Sequence, residues 1–144
     1  MLTTRESRRW LVLPALTMVK LLAGCDILLP SDLTAAQVTG AWTLASIQPS
    51  GQSAQPTPSG AAYTLTLADG SLSTRADCNT CAGRYTLADK TLTAGPALAC
   101  TRAACPTMAF ESAYTSILSG ESTVTTSPTA LTLASSRGTL RYTR

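Results

Sequence analysis

The chain has no histidine. Its absence removes the usual general base near neutral pH and the commonest neutral metal ligand. Aromatic residues make up only 5% of the sequence, too few for the stacking platforms that hold single-stranded nucleic acids. Serine and threonine are abundant, but none has a histidine or lysine placed to activate it as a nucleophile. No apolar run reaches the roughly 20 residues a helix needs to cross a bilayer. No catalytic residue, cofactor site or metal site is therefore expected. Asp77 and Glu111, the carboxylates nearest the cysteines, are expected to be solvated or to cap an element and not to work as an acid–base pair.

What is present begins at the N-terminus. Arg5, Arg8 and Arg9 form a basic start, "WLVLPALTMV" an apolar stretch, and "LLAGC" closes it after Lys20. This is the pattern of an export signal, and Leu22, Ala23, Gly24 and Cys25 resemble the lipobox of bacterial lipoproteins. The resemblance implies cleavage before Cys25, a diacylglycerol on its thiol and an acyl chain on its freed amine. Residues 1–24 then form a removable signal peptide and residues 25–37 a lipid-anchored tether, with the membrane reached through the lipid on Cys25. "SRRWLV", residues 7–12, also resembles the twin-arginine export motif, a Sec-type start being the alternative. Asp26 resembles a residue that retains lipoproteins in the inner membrane of some bacteria. Export route and final membrane stay open at this point.

The net charge of +3 belongs to the signal. Without Arg5, Arg8, Arg9, Lys20 and Glu6, seven basic residues face seven acidic ones, so the mature chain is neutral and carries no electrostatic footprint for nucleic acid. About 120 mature residues suit one small domain, expected here as residues 38–144. A core of that size gains from covalent staples.

Strand periodicity dominates the mature chain. "AWTLASI", residues 41–47, turns Trp42, Leu44 and Ile47 toward a core, and the Pro/Ser/Gly/Gln stretch 48–60 follows as a mobile loop. In "AYTLTLADGSLSTR", Tyr63, Leu65 and Leu67 alternate with threonines, and Asp69-Gly70 supplies residues tolerated at positive φ in a tight hairpin. A second hairpin is expected in "RYTLADKTLTA", turning near Asp89-Lys90. "CPTMAFESAYTSILSG" places Phe110, Tyr114, Ile117 and Leu118 on one helical stripe, with Pro106 near the start and Gly120 just past the end. "STVTTS", "ALTLAS" and "GTLRYTR" complete an α+β chain that is mostly antiparallel β, with about eight short strands and one packed helix. Trp42, Tyr63, Tyr85, Phe110 and Tyr114 are expected in the core, and Asn79 in a turn.

Cys78, Cys81, Cys100 and Cys105 lie within residues 77–105. A four-thiolate zinc site favours two short Cys-x2-Cys knuckles; Cys78 and Cys81 fit, whereas four residues separate Cys100 from Cys105. Thioredoxin-like chemistry needs a helix N-terminus beside the Cys-x-x-Cys, and "CNTC" leads into a strand. Disulfides are expected, and four cysteines allow three pairings. The nested one, Cys78 with Cys105 and Cys81 with Cys100, is preferred because the intervening hairpin brings its two ends together. Each bridge would add about 3 kcal/mol by constraining the unfolded chain.

These segments together carry a family resemblance: the early "WTL", "YTLTLADGSLSTRADCNTCAGRYTL", "TLTAGPALACTRAACP", the helix, and "ALTLASSRGTLRYTR". The most specific pieces are Cys78-Asn79 followed by Gly83 and Tyr85, and Thr101-Arg102 followed by Ala104-Cys105-Pro106. Over residues 38–144 the chain resembles the META domain family, which includes HslJ-like heat-shock lipoproteins, and in particular a disulfide-richer branch of it. Family members usually have glycine where this chain has Asp77. The resemblance implies a barrel-like β fold with a packed helix, and it favours the same nested pairing. It also implies a non-enzymatic, lipid-anchored protein of the bacterial cell envelope, facing the periplasm or exterior, that acts in binding or stress tolerance. A small-molecule carrier using the barrel interior is the alternative. A monomer is expected, with an envelope protein as a candidate partner.

Overall fold

The structure, a computed structural model, describes residues 32–144; the signal, the lipobox and Cys25 lie outside the described residues. In chain order the elements are α1 (Ala35–Val38), β1 (Gly40–Pro49), β2 (Gln55–Pro56), β3 (Tyr63–Ala68), β4 (Ser71–Ala76), β5 (Asn79–Ala88), β6 (Thr91–Ala94), β7 (Ala99–Cys100), α2 (Met108–Leu118), β8 (Gly120–Thr126), β9 (Ala130–Ser135) and β10 (Gly138–Thr143).

Three successive two-residue turns join β3 to β6, and each opens on an aspartate in the left-handed region: Asp69 at φ 49°, Asp77 at 56° and Asp89 at 52°. Aspartate tolerates this conformation better than most residues. The primed turns it permits match the right-handed twist of the flanking strands. Asp77 thus keeps the tight turn that glycine would otherwise provide.

All the long pairings are antiparallel, in the order β10-β9-β8-β6-β5-β4-β3-β1, and β1 pairs again with β10 to close an eight-stranded barrel. β1 and β5 are each ten residues long and outreach their neighbours. A two-residue strand meets each overhang, β2 on Ser46 and Ile47 and β7 on Cys81 and Ala82. The β2 contact turns part of the loop expected at 48–60 into paired strand.

An eight-stranded barrel is just wide enough for side chains to fill. Here Trp42, Tyr63, Tyr114, Tyr142 and a set of Leu and Ile residues fill it, all nearly inaccessible to solvent. The inward alternation of Trp42 and Leu44 would next point Ser46 into the core, but a bulge between Leu44 and Ser46 shifts the phase and turns Ile47 inward instead. An extra residue in one strand has this effect.

The helices seal the two ends. α2 lies across the end where β3 and β10 begin and β1 and β4 finish, burying Tyr114, Ile117 and Leu118, with Phe110 half-buried against the core. At the opposite end, Val38 of α1 is fully buried and its carbonyl accepts the Trp42 indole N–H at 2.8 Å. The Arg144 guanidinium covers the same indole, 3.8 Å from the ring centroid, and donates to the Thr39 carbonyl at 2.6 Å. Leu33, just before α1, also packs partly buried against the core.

Gly138 opens β10 at φ 145°. A Cβ there would run into the Gln48 carbonyl and would lie 2.9 Å from Pro49 Cα and 3.0 Å from Ile117 Cδ1. Strain and overpacking each cost on the order of 1–3 kcal/mol. Gly138→Ala should therefore lower the unfolding free energy by about 3 kcal/mol in urea titrations; a loss under about 1 kcal/mol would mean that the β1–β10 seam yields easily.

Candidate functional site

The barrel end covered by α2 gathers the four cysteines of the 77–105 stretch. Disulfides join Cys78 to Cys105, with Cα atoms 5.7 Å apart, and Cys81 to Cys100, 4.0 Å apart. Cys78 lies in the β4–β5 turn, whereas Cys81 faces inward on β5 directly opposite Cys100 of β7. The two bridges pin the 98–106 segment to the start of β5.

Asn79 sits between them. It is the first residue of β5 and only 2% exposed. Its side-chain oxygen accepts the Ala103 backbone N–H at 2.7 Å and the Thr101 hydroxyl at 2.9 Å. Its amide N–H groups reach the Ala103 carbonyl at 2.9 Å, both Glu111 carboxylate oxygens at 3.0 Å and Cys105 Sγ at 3.1 Å. The expectation of a turn residue is corrected: the two-residue turn is used up by Asp77 and Cys78, so Asn79 enters the strand facing inward and clamps the 101–105 segment and α2 to β5. The two motif segments, Cys78-Asn79 and 101–106, are thus the two halves of one buried contact.

A second polar chain ties α2 to the barrel wall. The Thr107 hydroxyl donates to Asp77 Oδ2 at 2.6 Å and is therefore left to accept from the Tyr63 hydroxyl at 2.8 Å. Deeper inside, Tyr142 donates to Tyr114 at 3.2 Å. Tyr114 lies 2.6 Å from the Thr74 hydroxyl, which is committed to the Thr64 carbonyl at 2.6 Å. Tyr114 therefore donates to Thr74, and the chain ends on a backbone acceptor. Burial pushes the Tyr114 phenol up to about 12, against the opposing pull of its bonds to Thr74 and Tyr142. Burial, with the neighbouring Tyr114, holds Tyr142 well above the usual tyrosine range.

Asp77 and Glu111 both lie at this end, each held by a structural partner, Thr107 and Asn79 respectively. Among the described residues no three His, Cys, Asp or Glu side chains converge to hold a metal, and no helix is long and apolar enough to cross a membrane. Bordering the cluster, a groove of about 420 Å³ runs between α2 and the 98–103 segment, past Leu98, Arg102, Met108 and Glu111. Met108 is 53% exposed, the one large apolar side chain so exposed among the described residues. A wider groove of about 550 Å³ lies along β3, β4, β5 and β7, between Thr66 and Thr101.

Periodicity did not reveal the Asn79 clamp or the tyrosine chain. Their one trace in the sequence is a polar residue at an inward position: Thr74 between Leu72 and Ala76, and Asn79 two residues before Cys81.

Fold and site together define a closed, disulfide-braced antiparallel barrel plugged by one helix. Residues 33–144 match the META domain model, and the chain belongs to that family. None of the curated proteins matches it. Among solved structures, it resembles an NMR structure of a protein from Burkholderia xenovorans, 24% identical with a TM-score of 0.63, the match covering 99% of this chain and 98% of that one. A lipocalin-like protein from Bacteroides uniformis shares the fold at 17% identity and a TM-score of 0.52, over 75% of this chain and 98% of its own. The family and the two disulfides fit a protein outside the cytoplasm.

Two outcomes follow from this geometry. Asn79→Ala should cost about 3 kcal/mol in urea unfolding with both disulfides intact, because it strands several buried partners at once; a cost below about 1 kcal/mol would remove the clamp. The raised tyrosines favour the neutral phenol in the fold, so their stabilisation is complete below pH about 10 and is lost as pH rises toward 12. Tyr114 alone should account for about 3 kcal/mol of that loss, and Tyr114→Phe should flatten the decline between pH 10 and 12.

Proposed function

We propose that the chain is a lipid-anchored, non-enzymatic binding module of the bacterial cell envelope, active in stress tolerance. The observation that carries this reading is the filled barrel: with the interior packed and both ends covered, the open grooves lie on the outer surface. A binding role at that surface asks nothing of the core. The carrier alternative would require a ligand to displace Trp42, Tyr114 or their neighbours, although the likeness to a lipocalin-like fold keeps the architecture in view. The lipobox ending at Cys25 supports the anchor, and the two disulfides support an oxidising compartment.

Intact mass of the protein extracted from membranes, alkylated under denaturing conditions before and after reduction, tests the anchor and the bridges together. An acylated chain beginning at Cys25, taking up four alkyl groups only after reduction, is the expected result. An unprocessed chain starting at Met1, or four groups added without reduction, would overturn the envelope reading. Crosslinking in intact cells should then recover a reproducible envelope partner, and a deletion strain should survive envelope stress less well.

A further inference from the structure

The outer face of β3, β4, β5 and β7 forms the floor of the wider groove, and its side chains follow the register of the sheet. One row across the strands holds Thr66, Ser73, Ala82 and Ala99; the next holds Thr64, Arg75 and Thr80, with Thr101 beside them. Rows two residues apart along a strand stand about 6.6 Å from each other, and neighbouring strands about 4.8 Å. The first row is made of small residues, so a ligand can approach the sheet closely there. The second presents hydroxyls on both sides of one guanidinium.

The Thr66, Ser73 and Thr80 hydroxyls make no hydrogen bond to any described residue, which leaves them free to meet a ligand. Arg75 Nε donates to the Asp77 carbonyl at 2.9 Å, which braces the side chain along β4 and leaves the two terminal nitrogens to point elsewhere. The guanidinium has no carboxylate partner among the described residues, and no acidic or aromatic side chain lines the groove. At about 550 Å³ the space lies in the range of ordinary ligand sites.

We propose that this groove binds an anionic carbohydrate, with its acidic group on Arg75 and its hydroxyls on Thr66, Ser73 and Thr80. A braced guanidinium favours a carboxylate or phosphate oxygen, and paired hydroxyls donate and accept toward a polyol. Threonine methyl groups supply apolar area for sugar C–H faces. A nucleic-acid strand would call for several cations and for stacking rings, which the groove lacks. An added peptide strand would need a free sheet edge, and this surface is a sheet face. The inference rests on reading the chain as a surface binding module and names what that surface would take.

The test is an amide NMR titration of the full-length protein in detergent micelles. Three probes are compared: a tetrasaccharide alternating glucuronate with N-acetylhexosamine, a neutral N-acetylglucosamine oligomer of the same length, and inorganic phosphate. Shifts from the acidic oligosaccharide should concentrate at Thr64–Thr66, Ser73–Arg75, Thr80–Ala82 and Ala99–Thr101. The neutral oligomer should bind roughly tenfold more weakly, since a charge-assisted hydrogen bond is worth about that much. Arg75→Gln should weaken binding by a similar factor. Thr66→Val and Thr80→Val, which keep side-chain shape on an exposed strand, should each weaken it about three-fold. No shifts at millimolar ligand, shifts mapping elsewhere, equal affinity for the neutral oligomer, phosphate bound as tightly as the sugar, or indifference to all three variants would each overturn the proposal. Because the titration is indifferent to acylation, the groove and the lipid anchor can fail separately.

Discussion

The barrel closes around eight short strands, and the width of such a barrel dictates most of what else the chain does. Its interior is filled by side chains alone, so each open end would otherwise expose the core to water. Two short pieces of chain solve that problem differently. At one end a four-residue helix contributes little more than Val38, and the Trp42 indole, roofed by Arg144, completes the seal. At the other, an eleven-residue helix lays three buried side chains across the opening.

A single helix on a barrel mouth has few partners, and its attachment is correspondingly elaborate. Tyr114 reaches β4 and β10 through one hydroxyl, Thr107 reaches Asp77 and Tyr63, and Glu111 reaches Asn79. The segment leading into the helix is bolted to β5 by two disulfides. Polar groups inside a core cost stability when left unsatisfied and specify geometry when paired. Here they fix how the plug sits, while leucine and isoleucine supply the burial. The family motif is thus explained by packing: Cys78 and Asn79 on one side, residues 101–106 on the other, are the bolt and its socket.

Much of this was legible from residue order. Alternating Leu and Thr located β3, Asp69-Gly70 its turn, and the stripe Phe110, Tyr114, Ile117 and Leu118 the helix, because each signal is local and has a fixed period. Closure of the sheet was visible only through family resemblance, since the pairing of β1 with β10 joins the two ends of the domain. Ile47 faces inward because of a bulge that alternation cannot foresee. Asparagine between cysteines suits a turn, whereas the true role of Asn79 depends on four residues distant in sequence. The Thr-lined groove was equally hidden, since outward threonines read simply as strand surface.

The seam between β1 and β10 also sets an order of events. Thr43 pairs with Thr143 and Pro49 with Gly138, so the first long strand waits for the last before either has both neighbours. Such pairings between distant positions slow folding, because loop-closure entropy must be met before the contacts form. A chain emerging from a ribosome, or threading through a translocation pore, can therefore make hairpins along the way but cannot complete the wall until its final residues are free. Its native state is in that sense all-or-none along its length: losing β10 would open the cylinder instead of shortening it.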